Sequence, residues 1–132
     1  MKKIFLFTVI VSIFSTSVFA EWVYVGSVEK NASDQGDLYV DTERITMKDN
    51  ITYYWELTDY HDEGGYGYLS DVTKVMLDCQ LRRYKNIQVT NYKGAMATGV
   101  ITGNDDADKE WKYPLPKTIK ESSISYICNF IY

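Results

Sequence analysis

Val72-Thr-Lys-Val-Met-Leu-Asp-Cys-Gln-Leu-Arg-Arg-Tyr-Lys-Asn-Ile-Gln-Val-Thr-Asn-Tyr92 is the stretch on which the fold turns. Val75, Leu77, Cys79 and Leu81 recur at period two, while Lys74, Met76, Asp78, Gln80 and Arg82 fall on the other face. Side chains alternate across a strand, so this pattern predicts a strand with one buried face. A second alternating run follows, with Ile87 and Val89 on one face and Gln88, Thr90 and Tyr92 on the other. The two runs predict neighbouring antiparallel strands in the middle of a sheet. Cys79 lies on the core face of the first, and the chain has one other cysteine, Cys128, near its end. The sheet's centre is therefore expected to be covalently tied to the C-terminal segment.

The first residues read as a leader. Lys2 and Lys3 precede an apolar run over residues 4–14, and small residues at positions 18 and 20 match a secretory cleavage pattern. The run is too short to cross a bilayer, which takes roughly 20 residues. Residues 1–20 are expected to be a signal peptide cut between Ala20 and Glu21, and residues 21–132 a single domain. Because Glu21 rather than cysteine follows the junction, no lipid anchor is expected there. No later segment reads as a membrane span. Export to an oxidising compartment predicts a disulfide between Cys79 and Cys128. It would close a loop of about 50 residues, for a chain-entropy contribution of at most ~4 kcal/mol.

The whole chain carries a net charge of −4, and removal of Lys2 and Lys3 moves it to −6. An acidic exported domain is repelled by phosphate backbones, so nucleic acid is not an expected partner. Arg82, Arg83, Lys85 and Lys93, with Tyr84 and Tyr92, form the one basic and aromatic cluster; it reads as a solvated strand face able to contact an acidic partner. Twelve tyrosines suit both a sheet and a recognition surface.

Along the rest of the chain, residues 22–28, 38–41 and 45–47 read as short strands. Asp49-Asn50 reads as a hairpin turn before the longest alternation, residues 51–60. There Ile51, Tyr53, Trp55 and Leu57 are assigned to the core and Tyr54 to the solvent face. Gly64, Gly65 and Gly67, with Tyr66 and Tyr68 between them, predict a hairpin loop. Val100-Ile101 reads as the start of a last strand, and residues 103–110 as an acidic loop. Thr118 and Glu121 have the spacing of a capping box, and Ile124, Ile127, Cys128 and Ile131 recur at helical spacing. A strand competes for this segment, because alternate residues from Ile124 to Tyr132 are also apolar. The cap and the prolines at 114 and 116 decide for a helix.

Catalysis, cofactors and metals find no support in the residue pattern. His61 is the only histidine and lies in the glycine-rich loop, where no rigid neighbour would hold its tautomer. Asn104, Asp106, Asp108 and Glu110 are spaced like calcium ligands, but Lys109 stands where such a loop needs glycine. The Asn31-Ala32-Ser33 triplet reads as accidental. What remains is a recognition surface made of Tyr54, Tyr60, Tyr66 and Tyr68, with Arg82 and Arg83 beside it.

The ordered set Trp22, Tyr39-Val40-Asp41, Ile45, Trp55-Glu-Leu57 and Asp59-Tyr60, followed by Asp78-Cys79, Arg82-Arg83, Tyr92, Gly94, Gly99, Trp111, Pro116 and Cys128, resembles the surface-adhesin protein E family of Gram-negative bacteria. The resemblance covers nearly the whole chain after the leader. It implies an α+β fold: a single antiparallel β-sheet, of about six strands, with a C-terminal α-helix packed on one face and disulfide-linked to it. It also implies a non-enzymatic protein that adheres to host extracellular-matrix proteins, and dimerisation. The family's motif positions are structural, so the resemblance assigns no binding residue. The alternative reading is a soluble periplasmic interaction or envelope-stress module without a host ligand.

Overall fold

The computed structural model describes residues 20–29 and 35–132. The expected leader and the 31–33 triplet lie outside the described residues. Seven strands precede one helix: β1 (Trp22–Glu29), β2 (Gln35–Asp41), β3 (Thr46–Lys48), β4 (Ile51–Tyr60), β5 (Ser70–Asp78), β6 (Arg83–Tyr92), β7 (Ile101–Asp105) and α1 (Ile119–Ile131). They form one antiparallel sheet in the order β1-β2-β4-β5-β6-β7. The short β3 shares an edge of β4 with β2: β3 pairs with residues 51–53 and β2 with residues 56–60.

Local chemistry sets the turns. Asp49 and Asn50 both have positive φ, 52° and 63°, as a two-residue turn matching the twist of its strands requires. Asn and Asp tolerate that region better than other residues with a Cβ. The central stretch forms β5 and β6, paired from Ser70↔Tyr92 to Asp78↔Arg83. Val75 and Leu77 are fully buried, but Leu81 falls in the turn after β5 and is exposed.

The helix starts where its cap predicts. Thr118 Oγ1 accepts from the Glu121 amide at 3.3 Å, while the Glu121 carboxylate accepts from the Lys117 amide, one residue earlier than a capping box would place it. Ile124 and Ile127 of α1 pack with Val40, Tyr54, Val75 and Leu77 into the core. Cys79 and Cys128 are bonded, with Cα atoms 5.8 Å apart. At the other end of α1, a Cβ on Gly26 would come within 2.5 Å of Ile119 Cδ1, so the bare glycine lets the first turn lie close on β1.

Two expectations are corrected. On β4 the helix covers Thr52, Tyr54 and Glu56, all buried, whereas Ile51, Tyr53 and Trp55 are half-buried on the opposite face. Leu57 alone of the expected core set is fully buried. The reason is that the polar tips of Tyr54 and Glu56 find partners on α1, more than sixty residues away, which no local alternation reveals. Trp55 instead lies between Arg44 and Lys74, each 5.5 Å from its ring. The second correction is at the far edge. Gly103, Asn104 and Asp105 belong to β7 rather than to a loop, and their polarity suits an edge strand.

Candidate functional site

The helix covers the face at the β1–β2 side, and a cleft of about 510 Å³ opens beside its N-terminal turn. Leu38 of β2, Glu56 and Thr58 of β4 and Tyr84 of β6 contribute from the sheet. Tyr60 and the 61–69 loop, with Tyr66 and Tyr68, supply one wall; Tyr113, Pro114 and Leu115 lead into the helix side at Ile119 and Lys120. Five tyrosines thus surround a floor that carries one acid, Glu56. Tyr60 and Tyr68 meet edge to face at 5.8 Å, and Tyr66 is tilted against Tyr68 at the same distance.

At the helix end of the cleft a primary ammonium is fully accommodated. Lys120 Nζ donates to Glu56 Oε2 at 2.6 Å and to Asn86 Oδ1 at 3.2 Å, and sits 4.6 Å from the Tyr84 ring. The other Glu56 oxygen accepts from the Tyr54 hydroxyl at 2.7 Å and from Ser123 Oγ at 2.5 Å. Burial pushes the Tyr54 hydroxyl well above its ordinary pKa, with the Glu56 charge adding to it. This buried carboxylate is therefore satisfied on both oxygens, and the network fastens α1 to the sheet.

A second acid is hydrogen-bonded to Tyr60 and is not itself among the residues that line the cleft. Asp71 of β5 is 8% exposed and pairs in register with Thr58 on one neighbour and Asn91 on the other. Its carboxylate accepts from the Tyr60 hydroxyl at 2.7 Å and from Thr73 Oγ1 at 3.5 Å. Among the described residues no cation forms an ion pair with it. Burial pushes its pKa up to about 6; the hydrogen bonds from Tyr60 and Thr58 oppose this, and the charges of Glu56 and Asp105 reinforce it. Asn91, itself 6% exposed, points Nδ2 toward Asp105 at 3.5 Å, and its Oδ1 is buried without a hydrogen-bond partner.

The expected surface residues do not all come together. Tyr60, Tyr66 and Tyr68 meet at the cleft. Tyr54 does not join them: it is 0% exposed beneath the helix, which corrects its placement on a solvent face. Arg82 and Arg83 stand at the other end of β5 from Tyr60 and Tyr68, in the turn that leads into β6, with Arg83 directly before Tyr84 of the cleft. Both are engaged within the chain. Arg82 donates to Ser125 Oγ of α1 at 2.7 Å; Arg83 pairs with Asp78 at 3.1 Å and stacks on Trp111 at 4.4 Å. His61 is exposed, 3.4 Å from Asp37. The sequence reading missed Asp71, Asn91, Tyr113 and Lys120. A signal for the first was present: Asp71 and Thr73 are in phase with Val75 and Leu77, so an acid was due on the buried face.

The profile of the surface-adhesin protein E family matches residues 22–129, nearly the whole described chain. The chain belongs to that family. The expected α+β architecture of the adhesin-E family is the one observed here, from the single antiparallel sheet to the bridged C-terminal helix. Crystal form II of Haemophilus influenzae protein E is similar at 18% identity over 83% of this chain and 90% of that one, with a TM-score of 0.60. Another structure of Haemophilus influenzae protein E matches at 17% identity over 80% of this chain and 83% of that one, with a TM-score of 0.59. At such identity the likeness establishes the fold. No curated protein matches the sequence. Among the described residues, no helix is long and apolar enough to cross a membrane.

Proposed function

We propose that this member of the adhesin-E family is an exported, non-enzymatic protein that adheres to an extracellular-matrix protein of a host, and that it does so through the tyrosine-walled cleft and the adjoining loop. Residues 1–20 act as the export signal, cut before Glu21. The observation that carries the reading is the cleft itself, in a chain whose family is that of a surface adhesin. Tyrosine offers large contact area at little cost in side-chain freedom, and Tyr66 and Tyr113 expose more than half of their surface at the cleft rim. Leu115, 70% exposed, extends that rim with apolar surface.

Solid-phase binding of the purified protein to a panel of matrix proteins tests this. Saturable binding at micromolar concentration is expected, weakened roughly tenfold when Tyr66 and Tyr113 are both replaced by alanine, as for aromatic anchors of an interface. No saturable binding to any matrix protein would remove the host-adhesion reading.

A further inference from the structure

The cleft is rich in free donors and short of free acceptors. Among the described residues, Tyr60 is the one cleft tyrosine whose hydroxyl is used within the chain, on Asp71. The hydroxyls of Tyr66, Tyr68, Tyr84 and Tyr113 meet no partner there. Those of the half-buried Tyr68 and Tyr84 still reach solvent, because Asn91 Oδ1 is the one buried side-chain polar atom without a partner among the described residues. Burial holds both above the ordinary tyrosine range, so they stay protonated. Lys120 adds an N–H: its ammonium has three and spends two, on Glu56 and Asn86.

The other oxygens of the lining are engaged. Glu56 accepts from Tyr54, Ser123 and Lys120, and Thr58 is hydrogen-bonded to Asp71. Thr118 Oγ1 donates to the Leu115 carbonyl and accepts from the Glu121 amide. The floor is a face of the sheet, not an edge: at Glu56 and Thr58, β4 is paired with β2 on one side and β5 on the other. A peptide cannot add a strand here, and each amide N–H it brought would need an acceptor that the cleft does not offer. A glycan, whose hydroxyls are donors as much as acceptors, meets the same shortage.

We propose that the cleft binds a proline-rich segment of a protein partner in the polyproline II conformation. Proline keeps the carbonyl and lacks the N–H, so such a chain matches a wall of donors. Its helix is extended before binding, and one turn advances about 9 Å, a length suited to a cleft of about 510 Å³. Pyrrolidine rings pack on the contiguous rings of Tyr60, Tyr68 and Tyr66, each 5.8 Å from the next. Carbonyls accept from Tyr68, Tyr84 and the third N–H of Lys120. On the helix side, Pro114 restricts the segment that carries Tyr113 and Leu115, so that wall is set before a ligand arrives. The proposal deepens the adhesion reading and rests on its claim that a protein occupies this cleft.

An NMR titration of backbone amides with acetyl-hexaproline amide tests it. Saturable shifts at Tyr60, Tyr66, Tyr68 and Tyr84 are expected. Acetyl-hexaalanine amide, which restores the N–H groups and removes the rings, should bind roughly tenfold more weakly or worse. Tyr68→Phe combined with Tyr84→Phe keeps both rings and removes two donors; it should weaken hexaproline binding several-fold, with the unaltered spectrum elsewhere certifying the fold. Absence of saturable shifts would overturn the proposal. So would equal binding of hexaalanine, equal binding by the double variant, or tighter binding of a glycan probe such as cellohexaose. Adhesion to a matrix protein that hexaproline does not displace would likewise overturn it and leave the adhesion standing. Hexaproline binding without adhesion to matrix proteins would uphold the site and sink only the host partner.

Discussion

Glu56 and Asp71 are acids on the same face of the same sheet, yet their surroundings set them apart. Glu56 meets Lys120 and two hydroxyls, and its charge is held in place. Removing the cation should therefore be costly. Lys120→Met is expected to destabilise the fold by about 3 kcal/mol, because it leaves a buried carboxylate without its counter-charge. Adding Glu56→Gln to that variant should restore part of the loss; chemical denaturation of the single and double variants measures both.

Asp71 has no such cation among the described residues. Its folded pKa of about 6 lies above the unfolded aspartate value of about 3.9, so the folded state holds the proton more tightly. The resulting stabilisation is fully present below pH ~4 and is lost as pH rises through ~6, a difference of about 3 kcal/mol. The groups facing it are Thr58 and Tyr60 on β4, Thr73 on β5, Asn91 on β6 and Asp105 on β7, with Glu56 further along the face. Urea midpoints at pH 4 to 7 should show this component in the wild-type protein and not in Asp71→Asn. Identical pH profiles for the two would refute it.

Among the elements, α1 gains its position from both ends. Its first turn is seated on β1 at Gly26, its middle is hydrogen-bonded to β4, and Cys128 ties its last turn to the end of β5. The bond spans a sequence separation of 49, so breaking it frees a long loop in the unfolded chain. Reduction, or Cys79→Ala with Cys128→Ala, should cost about 2–4 kcal/mol. Hydrogen exchange should then show amides of α1 losing protection before those of β4 and β5, which remain paired on both sides. Uniform loss across sheet and helix would show that the helix was not selectively held by the bond.

At the scale of the whole molecule, the sheet's two faces divide the work. One face carries Trp55 between Arg44 and Lys74, while the other bears the helix and, beside it, the cleft. A meander of neighbouring strands places residues distant in sequence, such as Tyr60, Tyr84 and Ile119, around a common hollow. The strands, the Asp49-Asn50 turn, the capped helix and the single bridge were legible in the chain. Each depends on neighbours within a few residues, or, for the bridge, on there being only two cysteines. The face chosen by β4 was not legible. Both of its faces carry aromatic residues, and the choice went to the one whose polar tips meet Ser123 and Lys120 on α1. The same holds for the candidate surface: Tyr54 was drawn under the helix, Arg82 and Arg83 were engaged within the chain at the far end of β5, and Tyr84, Tyr113 and Lys120 joined the cleft instead. Alternation in the sequence determined that there would be a layered sheet with a tethered helix, because side-chain period and cap chemistry act locally. Only the tertiary structure decided which acids would be buried and which would keep unused acceptors, because burial and pairing depend on partners that the chain brings together from dozens of residues apart.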